Sequence, residues 1–89
     1  MNLSKNFTLT EMTRSNTATK YGIDNTPNSA HIAALELLCS EVLEPIREIV
    51  GVSVNVTSGY RSPKLNAKVG GAKTSQHIKG QAADINVNG

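Results

Sequence analysis

The chain has one cysteine, no tryptophan and only three aromatic side chains, Phe7, Tyr21 and Tyr60, in 89 residues. A single thiol excludes an intrachain disulfide. Cys39 falls on the apolar phase of a helical pattern, which predicts a buried, inert thiol. No apolar run approaches the ~20 residues of a membrane span, so no membrane role is expected. The first twelve residues, MNLSKNFTLTEM, lack the hydrophobic stretch of a signal peptide. The expectation is synthesis in the cytoplasm, with any action elsewhere depending on release. Charged residues are 18% of the chain, too few for a disordered acidic or basic tail. Hydrophobic residues are 38%, enough for one lean core in a single domain spanning residues 1–89.

The net charge of +2 conceals an asymmetry. Residues 1–50 carry four basic and six acidic side chains, whereas residues 51–89 carry five basic ones against Asp84 alone. A solvated basic loop and a site for an anionic ligand both account for this. The basic residues are not interleaved with aromatics, and no helix-turn-helix or zinc-finger spacing occurs, so nucleic acid is not an expected partner.

Thr8 and Glu11 form a capping-box pair, which predicts a short helix over residues 9–15. Residues 16–26 read as irregular, with one helical turn near Ala18. Thr26-Pro27 is a suitable helix start. From there Ile32, Leu35, Cys39, Val42, Ile46 and Ile49 form a stripe at spacings of 3, 4, 3, 4 and 3, widened by Leu38 and Leu43. Pro45 should kink this helix rather than end it, because the stripe continues to Gly51. Val52, Val54 and Val56 alternate with polar residues as in a strand with one buried face. A short helix is expected from Ser62-Pro63 to about Val69, stopped by Gly70-Gly71. Ala83, Ile85 and Val87 then mark a second strand facing the long helix, with Asp84 on its opposite face. The fold class expected is α+β, a small antiparallel sheet backed by a long helix. Two strands make an unfinished-looking sheet, whose free edge offers a route to a homodimer.

His77 and Asp84 lie seven positions apart, on a Gly-rich loop and on the strand after it. A bend at Gly80 would turn both into one cleft. Imidazole and carboxylate are ordinary zinc ligands, but a catalytic zinc needs three protein ligands and an open position. On spacing alone, a loop histidine beside a solvated strand aspartate is the better reading than a metal site.

The surrounding residues are more specific. Residues 75–84, SQHIKGQAAD, fit S-x-H-x-x-G-x-A-x-D, five fixed positions in ten. This resembles the metal-binding signature of the zinc D-alanyl-D-alanine peptidases, which trim cell-wall peptides. The segment TSGYRS at residues 57–62 is similar to their companion motif. Leu65-Asn66, Gly70-Gly71 and the N-terminal FTLTEM and GIDNTP stretches also fit, the last two resembling small phage and bacterial members. The resemblance implies the metallopeptidase fold shared with the hedgehog signalling domain, Zn2+ as cofactor and peptidoglycan peptide as partner. It implies His77 and Asp84 as two zinc ligands. Arg61 would be the catalytic arginine that holds substrate and steadies the oxyanion as water attacks the carbonyl, a task suited to a planar, permanently charged fork. Ser75 and Gln76 would lie beside the metal or the substrate, and Tyr60 is either a core ring or a substrate wall, with core the expectation. The activity implied is a zinc carboxypeptidase or endopeptidase cutting near D-alanine.

Family members continue past the aspartate into a late histidine motif that supplies the third ligand and neighbouring acid or base. No residue of this chain matches it, so the domain is expected to lack its C-terminal segment. His31 reads as a satisfied or solvated helix residue rather than a replacement ligand. Glu11, Glu36, Glu41, Glu44 and Glu48 read as helix-surface carboxylates. The alternative expectation is an inactive or shortened cell-wall-binding or structural module of phage or bacterial origin.

Overall fold

The computed structural model describes residues 1–87. Helix α1 (Leu9–Thr13) starts at Thr8, whose hydroxyl accepts from the Glu11 N–H while the Glu11 carboxylate accepts from the Thr8 N–H at 3.1 Å. The capping box is thus closed on both sides. Helix α2 (Asn16–Tyr21) follows at once, because Ser15 caps it through the Ala18 N–H. Serine caps are strong enough to order a stretch whose Asn and Thr content reads as irregular. Thr26-Pro27 does not open the long helix. Asn28 does, by accepting from the His31 N–H at 2.8 Å.

The long helix runs as α3 (Ser29–Leu38), a π-helical turn (Cys39–Leu43) and α4 (Glu44–Val50). The π turn explains how the chain tolerates Pro45. The Glu44 N–H bonds back five residues to the Cys39 carbonyl. The widened turn relieves the clash a proline ring makes with the carbonyl four residues earlier. It also changes the phase of the stripe. In a wider turn the residue four positions on stays beneath Cys39, and the one three positions on swings outward. Leu43 is therefore buried at 3% exposure and Val42 is 44% exposed, the reverse of the emphasis the spacing suggests. Ile49, on the last turn, lies beyond the core at 84% exposure.

Strand β1 (Val54–Ser58) pairs antiparallel with β2 (Asp84–Val87). Val56 opposes Ile85 and Ser58 opposes Asp84, with an irregularity between Val56 and Ser58. Strand β1 begins at Val54, and Val52 is left exposed. Helix α5 (Pro63–Lys68) is capped by Ser62 and carries its proline in the first turn, as the sequence predicts.

One core joins these elements. Leu35, Cys39 and Leu43 of the long helix meet Val54, Val56 and Tyr60, with Ala83 and Ile85 of the second strand's segment packed against them. The N-terminal residues Leu3, Phe7 and Met12 complete it. Leu3 and Phe7 carry no periodicity by which a sequence could assign them. Their place is held by a turn in which the Phe7 carbonyl accepts from Leu3 and Ser4 N–H groups. The turn is tied to the helix by Glu44, whose carboxylate accepts from the Ser4 hydroxyl and from the Asn6 backbone and side-chain nitrogens. Glu44 is thus a clamp rather than a free surface carboxylate. Among the described residues, no helix is long and apolar enough to cross a membrane.

Burial alone would raise the Glu44 carboxyl, but the Ser4 and Asn6 hydrogen bonds outweigh it and hold it below its ordinary value of 4.5. A carboxyl depressed in the folded state stabilises the fold above its unfolded pKa, and that contribution is lost as pH falls through and below about 4.5. Glu44→Gln should cost about 1–3 kcal/mol at neutral pH in urea unfolding. It should also flatten this part of the acid dependence, and unchanged stability in the variant would refute the clamp. Burial first, then the Glu44 and Glu11 charges, push the Cys39 thiol up to about 11. A thiol reagent at pH 8 should therefore label Cys39 only after denaturant is added.

Candidate metal centre

His77 sits on a single 3-10 turn (Gln76–Lys79). The Ser75 hydroxyl opens the turn by accepting from the His77 N–H at 3.2 Å. Gly80 closes it at φ 73°, and its N–H is directed at the Gln76 and His77 carbonyls. A left-handed closure favours glycine. Here a side chain is excluded on a second ground: a Cβ on Gly80 would lie 2.8 Å from the His31 carbonyl oxygen. The reversal returns the chain to β2, where Asp84 heads the strand. His77 Nε2 and Asp84 Oδ2 come to 3.6 Å.

The orientation of the imidazole is settled by its other nitrogen. His77 Nδ1 lies 2.7 Å from the Gly59 carbonyl oxygen. A carbonyl only accepts, so Nδ1 carries the hydrogen and, in the neutral ring, Nε2 presents its lone pair towards Asp84. The Arg61 N–H donates to the His77 carbonyl at 3.1 Å, so the 59–61 segment grips both the side chain and the backbone of His77. Gly59 permits this approach, because a Cβ there would run into the Met12 carbonyl. Tyr60 donates its N–H to that same carbonyl at 2.7 Å.

Arg61 is fixed as closely. Its Nε donates to Ser58 Oγ at 3.2 Å and its Nη1 to Asn66 Oδ1 at 3.3 Å. Asn66 is almost fully buried and donates in turn to the Ala72 carbonyl at 2.8 Å. The remaining nitrogen, Nη2, lies 3.6 Å from Asp84 Oδ2. That is beyond hydrogen-bond distance and leaves Nη2 free to donate to a ligand. His77 and Arg61 are largely buried, whereas the Asp84 side chain is 60% exposed, so the group opens to solvent on the aspartate side.

The structure therefore brings His77, Asp84 and Arg61 together. Ser75 acts on the His77 backbone. Gln76 is exposed and contributes its carbonyl to the turn. Asn66 and the Gly59 carbonyl have no assigned role in the sequence reading. Asn66 was visible there only as part of the Leu65-Asn66 match, and a backbone carbonyl leaves no residue-type signal. Asn25 is a second such residue, present in the sequence reading only within the GIDNTP match. Its side chain bonds the Thr13 and Tyr60 carbonyls and accepts the Ser62 N–H at 2.6 Å, which ties α1 to the segment bearing Arg61. His31 stays out of the group. Its ring packs on Tyr60 with centroids 4.9 Å apart, and its Nδ1 is buried without a partner among the described residues, not satisfied or solvated as its sequence position suggests. Tyr60 is core, and burial, followed by the Asp24 charge, raises its phenol pKa. A concavity of about 600 Å³ between α1, α2 and Pro27 holds none of the three residues, so size alone would point to the wrong place.

The donor set fits a divalent ion in part. Two bonds of about 2.1 Å at a tetrahedral angle hold their ligand atoms about 3.4 Å apart, close to the separation of Nε2 and Oδ2. Among the described residues, no cluster of three or more His, Cys, Asp or Glu side chains forms a complete shell. Glu11 and Glu44 are engaged in the capping box and the clamp.

The family model described as peptidase M15 matches residues 5–89. The chain is 35% identical over 81 residues to the zinc D-Ala-D-Ala carboxypeptidase of Streptomyces albus G. That match covers 90% of this chain and 31% of the Streptomyces protein. The chain thus spans about a third of the length of this curated relative. No solved structure matches.

Long-range 15N–1H correlation at pH 8 should find His77 as the Nδ1–H tautomer, and an Nε2–H ring would refute the orientation. Gly59→Ala should lower stability by about 1–3 kcal/mol and disturb that signal, because Met12 or the 59–61 backbone must shift.

Proposed function

The chain belongs to the peptidase M15 family, and on that premise we propose that it is a zinc peptidase domain hydrolysing peptidoglycan peptide bonds near D-alanine. The observation that carries this reading is the pairing of His77 Nε2 with Asp84 Oδ2 at 3.6 Å, with Nδ1 committed to Gly59. His77 and Asp84 would hold the ion. A zinc ion bound there supplies Lewis acidity and lowers the pKa of water. The chain's own residues do the rest. The Gly59 carbonyl holds the Nδ1 proton and keeps the lone pair of Nε2 on the open side, a support typical of metal-binding histidines. Arg61, braced by Ser58 and Asn66, directs Nη2 at the space beside Asp84. A substrate carbonyl placed there would receive a charge-assisted hydrogen bond that strengthens as negative charge develops on its oxygen. Because Ser58 and Asn66 already fix the guanidinium, little reorganisation is needed when the charge appears.

One observation favours a second reading, a wall-binding module without catalysis: the two ligands have no third partner among the described residues.

Elemental analysis of the purified protein distinguishes the readings. The peptidase reading expects near-stoichiometric zinc in the wild type, its loss in His77→Ala and Asp84→Asn, and chelator-sensitive release of D-alanine from a wall peptide. No zinc in any of the three proteins, with wall binding that a chelator leaves intact, would establish the module instead.

A further inference from the structure

The proposed metal pair uses one of the chain's two histidines, and the other, His31, presses on both segments that hold it. The His31 ring packs on Tyr60 with centroids 4.9 Å apart and planes tilted by 34°. Tyr60 lies between the two grips on His77: the Gly59 carbonyl at 2.7 Å from Nδ1, and the Arg61 N–H at 3.1 Å from the His77 carbonyl. The His31 backbone meets the closure of the His77 turn. A Cβ on Gly80 would stand 2.8 Å from the His31 carbonyl oxygen and 3.5 Å from the Ala34 methyl, so Gly80 is seated against the first turns of α3. His31 is itself anchored, because its N–H donates to the side chain of the α3 cap, Asn28, at 2.8 Å. The other supports of the 59–61 segment act on its backbone. Tyr60 N–H donates to the Met12 carbonyl at 2.7 Å, and Asn25 Nδ2 donates to the Tyr60 carbonyl at 3.0 Å. His31 acts on the Tyr60 ring, so the segment is held from α1 through its main chain and from α3 through its side chain.

We infer that His31 is a positioning residue for the metal pair: its ring braces the Tyr60 side chain and, through it, the Gly59 carbonyl that orients His77. A buried ring in a close-packed interior cannot tip without opening a void or moving the backbone that carries it. Removing the His31 ring opens such a void beside Tyr60, and the surroundings relax into a void only in part. The backbone that would shift carries both grips on His77, and hydrogen bonds weaken steeply as they lengthen or bend. The ring face, and not a nitrogen, supplies the brace. His31 Nδ1 is buried without a partner among the described residues, which costs stability. A phenyl ring at this position should therefore keep the brace and remove the cost. The gain in zinc binding rests on the peptidase reading, whereas the hold on His77 does not. An imidazole oriented in advance loses less freedom when an ion arrives, and groups that orient a metal-binding histidine are worth about 10–100-fold in affinity.

The test follows the His77 Nδ1–H of the full, metal-free chain by 15N–1H correlation and measures its exchange with solvent. His31→Ala should exchange this proton about tenfold faster than the wild type, because local opening becomes easier. His31→Phe should restore the wild-type rate and raise the urea midpoint. Leu3→Val, which thins the same core at the N-terminal turn, should leave the rate unchanged. Zinc affinity, read by competition with a chelating dye, should fall about tenfold in His31→Ala and return in His31→Phe. If none of these proteins binds zinc, the peptidase reading fails and the exchange rates still decide the role of His31. An unchanged rate in His31→Ala, no rescue by His31→Phe, or zinc held as tightly by His31→Ala as by the wild type would overturn the proposal. Equal acceleration in Leu3→Val would overturn it too, by reducing His31 to one core side chain among others.

Discussion

The site depends on one backbone exchange. The Gly59 carbonyl takes the His77 Nδ1 proton, and two residues later the Arg61 N–H binds the His77 carbonyl. These contacts join segments 18 residues apart with the shortness of a strand pairing. The two-stranded sheet beside them is of a kind that is marginal on its own. Without the exchange, His77 would sit on a Gly-rich loop with many accessible conformations, and ordering it at the moment of ligand binding would cost entropy. With it, the imidazole is oriented before any ligand arrives. Gly59 is the permissive residue, because only the absence of a side chain lets the strand end lie against the Met12 carbonyl.

The rest of the fold supports that arrangement with little material. A core of nine buried side chains draws on the N-terminal turn, the long helix, β1 and Tyr60. The π turn lets Pro45 remain inside the helix and rotates Leu43 inward, so both halves of the helix serve the same core. Glu44, two residues before Ile46, fastens the N-terminal turn that delivers Leu3 and Phe7. A small domain has a thin stability margin, and a few polar clamps of this kind are a substantial part of it.

Charge is arranged with the same economy. The excess of basic residues in the second half is not simply a solvated face: Arg61 is drawn inward onto Ser58 and Asn66. The acids of the first half are partly internal, Glu11 in its cap and Glu44 in its clamp. The result is a group in which, among the described residues, Asp84 is the one carboxylate beside His77 and Arg61, with its side chain facing solvent.

The sequence by itself determined the local features. Short-range rules suffice for the capping box at Thr8 and Glu11, the Ser62-Pro63 helix start, the alternation of Val54 and Val56, and the burial of Cys39. The ten-residue pattern from Ser75 to Asp84 likewise named the family and the residues to inspect. Tertiary structure decided what those residues do. The hydrogen-bond partner of His77 is a carbonyl 18 positions away, which no residue type records. Asn66, on α5, and Asn25, in the segment before α3, look like ordinary polar residues until their amides are seen bridging segments. The choice of Leu43 over Val42 required knowing that the helix widens before Pro45. Periodicity reports which face a residue belongs to when the helix is regular. Where a turn widens, or where a polar atom reaches across the fold, only the packed chain specifies the partner.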